Sequence, residues 1–158
     1  MQHHTVLGIS PGTRSMGIAA MKDGQLIDWK TRTFKGKWND KKLNEIVVYI
    51  KKEMYRHNVR KVAVKLPHPV RSSLWLNDLL NEIKELVRKK NITMNIYFID
   101  DLKYLSGELD NKQKLAEYIT SKHPELLGEY EREQQNKNTY YMKMFEAIAA
   151  ARLIEKEK

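Results

Sequence analysis

The sequence predicts an α/β domain in which a five-stranded mixed sheet, three antiparallel strands followed by two parallel ones, is flanked by helices. Three observations carry that expectation. Three short β-branched and aliphatic runs follow one another across tight turns, strands then alternate with amphipathic segments of helix length, and the chain closes on a run of small apolar residues. With 158 residues and 41% hydrophobic content the chain can bury a core, so residues 1–158 are expected to form one unit.

Thr5 to Ile9 reads as a buried strand that ends at Ser10-Pro11-Gly12. Ser15 to Met21 is the second strand. Asp23-Gly24 is a pair favoured in two-residue hairpin turns, and Leu26 to Phe34 returns as the third strand. Asn39 or Asp40 caps a helix whose apolar residues Leu43, Ile46, Val47, Ile50 and Met54 share one face. Lys61 to Leu66 is the fourth strand. Ser72 or Ser73 then caps a helix with Leu76, Leu79, Leu80, Ile83, Leu86 and Val87 inward, and Met94 to Ile99 is the fifth strand. This alternation implies parallel, right-handed crossovers.

A helix is expected near Leu102, capped by Asp100 or Asp101, and another from Asn111, with Asp110 as its cap and His123-Pro124 as its end. The polar stretch from Gly128 to Thr139 reads as a mobile connection. The last helix, about Tyr140 to Glu155, carries "EAIAAA", whose small side chains allow close packing on the sheet.

There are no cysteines, which excludes disulfides and thiolate metal sites. No apolar run has bilayer-spanning length and Met1 to Thr5 has no signal-peptide core, so a cytoplasmic protein without a membrane partner is expected. Lys and Arg total 29 against 20 Asp and Glu, and the surplus is uneven: residues 1–65 hold 14 basic and 5 acidic residues, the remainder 15 of each. That asymmetry fits either a solvated lysine-rich surface or a basic face for a polyanion such as nucleic acid.

The element order is that of the ribonuclease H-like fold, and "LGISPGTRSMGIAA" resembles the first-strand motif of the RuvC family of Holliday junction resolvases, in which an Asp precedes Pro-Gly-Thr. The likeness runs over almost the whole chain. "VAVKLPHPVRSS" is similar to the family's strand ending in Glu with its following loop, and "FEAIAAARL" to its terminal Asp-Ala-hydrophobic-Ala helix. The Gly8, Pro11, Gly12, Thr13 and Gly17 pattern taken alone also suits an ordinary hairpin or the phosphate loop of actin-like proteins, which need a longer chain.

The resemblance implies a two-metal site in which about four carboxylates hold Mg²⁺ ions roughly 4 Å apart. Position by position, the family's acidic residues fall on Ser10, Lys65, Lys143 and Glu146, of which only Glu146 is acidic. With two ammonium groups near one carboxylate, Lys65 or Lys143 is expected to pair with Glu146 and stand in for a metal. Ser10 is expected to cap its turn. The inherited catalytic site is therefore expected to be inactive, with no metal or other cofactor. The alternative is an active Mg²⁺- or Mn²⁺-dependent endonuclease that rebuilds a metal site from Glu146, Asp100 and Asp101. The five histidines show no ligand spacing.

For binding, "WKTRTFKGKWNDKK" interleaves aromatics with cations, so Lys35, Lys37 and Trp38 are candidates for phosphate contact and base stacking. At strand periodicity Phe34 shares a face with Lys30 and Arg32, and Trp29 lies on the other, which assigns at least one aromatic to the core. Arg71 and Ser72 follow the fourth strand, where the resemblance implies a junction-facing loop, and Thr13 and Arg14 offer turn amides and a guanidinium. The expected partner is nucleic acid, DNA and branched DNA in particular, bound by a homodimer as the resemblance implies. The remaining alternative is a protein-interaction module on the same fold.

Overall fold

The computed structural model describes residues 4–12, 14–67, 73–103, 105, 112–135 and 140–156. Strands β1 (Thr5–Ser10), β2 (Ser15–Lys22), β3 (Gln25–Thr33), β4 (Val59–Leu66) and β5 (Thr93–Phe98) form one sheet in the order β3-β2-β1-β4-β5. The first three pair antiparallel, and β1–β4 and β4–β5 pair parallel. The expected mixed sheet is the observed one. Asp23 and Gly24 both have positive φ, 55° and 77°, as a primed two-residue hairpin turn requires.

Side-chain alternation distributes the sheet between two cores. Leu7, Ile9, Ile18, Val62 and Val64 face helices α1 (Asp40–Arg56) and α2 (Leu74–Lys90). Val6, Ala19 and Ala63 face α6 (Met142–Lys156), which crosses β1, β2 and β4. The backbones approach closely here: a Cβ on Gly8 would overlap the Ala147 carbonyl, and one on Gly17 the Lys143 carbonyl. The alanine run of α6 and these glycines are two halves of one contact. Phe34 is buried on the α1 side and Trp29 packs on the α6 side, as strand periodicity required.

Asn39 is the cap of α1, its side chain accepting from the Lys42 amide at 2.9 Å. Ser73 precedes α2 without a side-chain capping bond, and Ser72 and Asp110 lie outside the described residues. Helix α3 (Ile99–Lys103) starts three residues before Leu102, and Asp101 fastens it by accepting from the Phe98 amide at 2.7 Å. Helix α4 (Lys112–Lys122) ends before His123-Pro124, which opens a 3₁₀ turn.

One expectation is overturned. Helix α5 (Leu127–Gln135) takes up most of the Gly128 to Thr139 stretch expected to be a mobile connection. Polarity misled because its polar groups bond inward: Glu129 accepts from the Trp29 indole at 3.2 Å, and buried Glu133 accepts from the Tyr141 amide at 2.9 Å, ahead of α6. Tyr130 meets Phe145 edge to face. Tertiary contacts thus hold a helix that periodicity does not signal. Among the described residues no helix is long and apolar enough to cross a membrane.

Candidate functional site

Register brings the site together. Ser10 stands two residues beyond Gly8 and Lys65 two beyond Ala63, so both project to the α6 face; Ile9 pairs with Val64, which sets Ser10 and Lys65 side by side at the carboxyl ends of β1 and β4. In α6, Lys143 and Glu146 are three residues apart and share a face.

Glu146 is fully buried at the centre. The Lys65 ammonium lies 2.8 Å from its Oε2, the Ser10 hydroxyl donates to Oε1 at 3.4 Å, and the Lys112 ammonium, at the start of α4, is 3.5 Å from Oε2. Ser10 is therefore wholly buried and turned toward Glu146 rather than serving the turn. Burial raises the Glu146 carboxyl, but Lys65, Lys112 and Lys143 together attract it more strongly, and it is held below its ordinary range. Burial lowers the Lys65 and Lys143 ammonium groups; Glu146 offsets part of this, and Lys112 repels both.

This donor set does not fit a pair of divalent cations, which need several hard oxygen ligands. One carboxylate and one hydroxyl face three ammonium groups. Asp100 and Asp101 are exposed on α3 and do not gather with Glu146 into a ligand group.

Around this centre lie several of the residues expected to bind. Arg14 is exposed beside the turn into β2, and because β3 runs antiparallel to β2, its carboxyl end and the exposed Lys35 and Lys37 beyond it lie at the same end of the sheet. Trp38 is partly buried, its ring 5.3 Å from that of Trp75, so it joins the starts of α1 and α2 rather than standing free for a base. Thr13, Arg71 and Ser72 lie outside the described residues.

A second charged cluster was missed. His57 accompanies Asp28 and Glu53, with ligand-type atoms all within 4.8 Å of one another, a grouping in space that the spacing of the five histidines along the chain does not show. Lys30 fills it, 2.7 Å from Glu53 Oε1 and 3.2 Å from Asp28 Oδ2. The signal available was Glu53 and His57 spaced four apart on one helix face, but Asp28 and Lys30 reach them only through sheet packing. Lys112 gave no signal, since it enters from a helix that sequence spacing does not relate to α6.

No protein-family model and no curated protein matches the chain. Among solved structures, it is similar to a Thermus thermophilus RuvC structure at 15% identity and TM-score 0.68, covering 93% of this chain and 90% of that one. It is also similar to T. thermophilus RuvC in complex with a Holliday junction substrate, at 15% identity and TM-score 0.67 over 94% and 90% of the two chains. The chain therefore has a RuvC-like ribonuclease H-like fold.

Proposed function

We propose that this chain, starting from its RuvC-like fold, binds nucleic acid, branched DNA above all, and does not cut it. The observation that carries the proposal is the Lys65 ammonium 2.8 Å from buried Glu146, at the end of β1 and β4 where the resemblance implies metal-bound carboxylates. Water activation by two metals needs the negative ligand charge that assembles them, and here the local charge is positive. Binding needs only phosphate neutralisation and shape, which exposed Arg14, Lys35 and Lys37 serve from the same end of the sheet. Thr13, Arg71 and Ser72, outside the described residues, are proposed as further binding residues from the sequence alone.

The test is a titration of the protein against labelled four-way junction, duplex and single-stranded DNA in EDTA across a salt series. The proposal expects junction binding tighter than duplex binding, with log affinity falling linearly with log salt. Absence of binding to all three at low salt would remove nucleic acid as the partner and leave the protein-interaction module.

A further inference from the structure

We propose that Lys65, Lys112 and Lys143 form an oxyanion site that holds a backbone phosphate of the bound nucleic acid, so that ammonium groups do the charge neutralisation a metal pair would otherwise supply. The inference rests on the nucleic-acid reading only for the source of the phosphate. The site itself stands on geometry.

First, the charges do not close. Lys65 is paired with the one carboxylate and exposed Lys112 keeps its water, but partly buried Lys143 has no close partner among the described residues, and a charge withdrawn from water needs one. Second, Lys143 makes no hydrogen bond or ion pair among the described residues, although it is partly buried and offers three donors. Third, its position is built in: its stem lies over Gly12, where any Cβ would overlap Lys143 Cε, so the side chain is laid across the β1–β2 turn toward the end that carries Arg14. Fourth, the first turn of the 15-residue α6 contributes the positive end of its dipole here.

A phosphate answers these features better than a carboxylate. It offers several acceptor oxygens to cations arriving from three separate elements, β4, α4 and α6. Glu146 then acts as the counter-charge that keeps Lys65 in place, with no chemical step of its own. By contrast, the Asp28, Glu53 and His57 cluster is already filled by Lys30 and has no call for a further ion.

The experiment uses the full chain as wild type, Lys143→Met, Lys112→Met and, as a control at the far end of α2, exposed Lys89→Met. Lys65 is left intact because removing it would strand Glu146. Inorganic phosphate is titrated while thermal unfolding is followed, and four-way junction affinity is measured across a salt series. The expected result is that phosphate raises the wild-type Tm saturably and raises that of Lys143→Met much less. Lys143→Met and Lys112→Met should each weaken junction binding about tenfold and reduce the salt slope by about one, while Lys89→Met matches wild type.

Junction binding unchanged in Lys143→Met and Lys112→Met, with no saturable phosphate effect, would overturn the oxyanion site and leave the nucleic-acid reading standing. Phosphate stabilisation that Lys143→Met abolishes, in a protein that binds no nucleic acid, would uphold the site and overturn the reading. Because Lys143 makes no hydrogen bond or ion pair among the described residues, and its attraction to Glu146 is offset by repulsion from Lys65 and Lys112, Lys143→Met should unfold no earlier than wild type without phosphate. Marked destabilisation of that variant would also count against the proposal.

Discussion

In the cluster between β3 and α1, Asp28 and Glu53 meet Lys30 at 3.2 and 2.7 Å, His57 lies 3.0 Å from Asp28, and Arg56 is 3.8 Å from Glu53. Two carboxylates face two permanent cations, and a histidine fills the remaining space. At the carboxyl ends of β1 and β4, Glu146 alone faces Lys65, Lys112 and Lys143. Both clusters join a sheet to a helix through a buried glutamate. They differ in sum: the first is complete within the chain, whereas the second carries positive charge that nothing described in the chain neutralises. The contrast separates a clamp from a candidate site, because Lys112 is met by solvent while the partly buried Lys143 ammonium is left for something outside the described residues to meet.

The largest expected effect breaks the second cluster. Glu146→Ala removes the only carboxylate beside Lys65 among the described residues and should cost about 3–5 kcal/mol in chemical denaturation, the range for a buried ion left unpaired. The double variant Lys65→Met/Glu146→Leu should recover most of that loss, since an apolar pair of similar volume needs no counter-charge. Equal loss in both would mean that packing, not charge, sets the stability there.

Breaking the first cluster is milder. Glu53→Gln keeps the shape and removes the charge facing Lys30 and Arg56, and about 2 kcal/mol of stability should disappear. A metal-binding role for this cluster would instead show as a zinc-dependent rise in Tm that Glu53→Gln abolishes, and none is expected while Lys30 fills it.

Acid tests both clusters at once. Burial raises the Asp28 carboxyl, but its bonds to His57 and Lys30 outweigh this and hold it below its ordinary 3.8; Glu146 is likewise held below 4.5. The unfolded chain then binds more protons in the window just under those values, so stability falls with pH there and not above it. A denaturation series should show the decline beginning below pH 4.5 and flattening in Glu146→Gln for its share. The smallest effect is expected from Lys30→Met: the side chain is 29% exposed and Arg56 and His57 remain beside its partners, so about 1 kcal/mol or less should be lost.

Much of this was legible in the residues. Asp23-Gly24 marked the hairpin, the resemblance aligned Ser10 and Lys65 with one site, and the alanines of α6 announced close packing that Gly8 and Gly17 complete. That Lys65 or Lys143 pairs with Glu146 is expected from the positions the resemblance aligns together with their opposite charges, and it is Lys65 that lies 2.8 Å away. What escaped was whatever depends on one element meeting another without a periodic signal. Lys112 reaches Glu146 from the head of α4, α5 is held by Trp29 and by the segment leading into α6, and Asp28 meets His57 across the packing of a strand on a helix. The Trp38–Trp75 contact belongs to the same class, since the two residues lie on either side of β4 in the sequence.

The central claim is that ammonium groups have taken the place of metal ions, and its most direct test is a cleavage assay on labelled four-way junction with Mn²⁺ or Mg²⁺ and with EDTA. The account predicts intact strands in every sample and an affinity for the junction that does not change with the metal. Metal-dependent cutting that Glu146→Gln abolishes would contradict it.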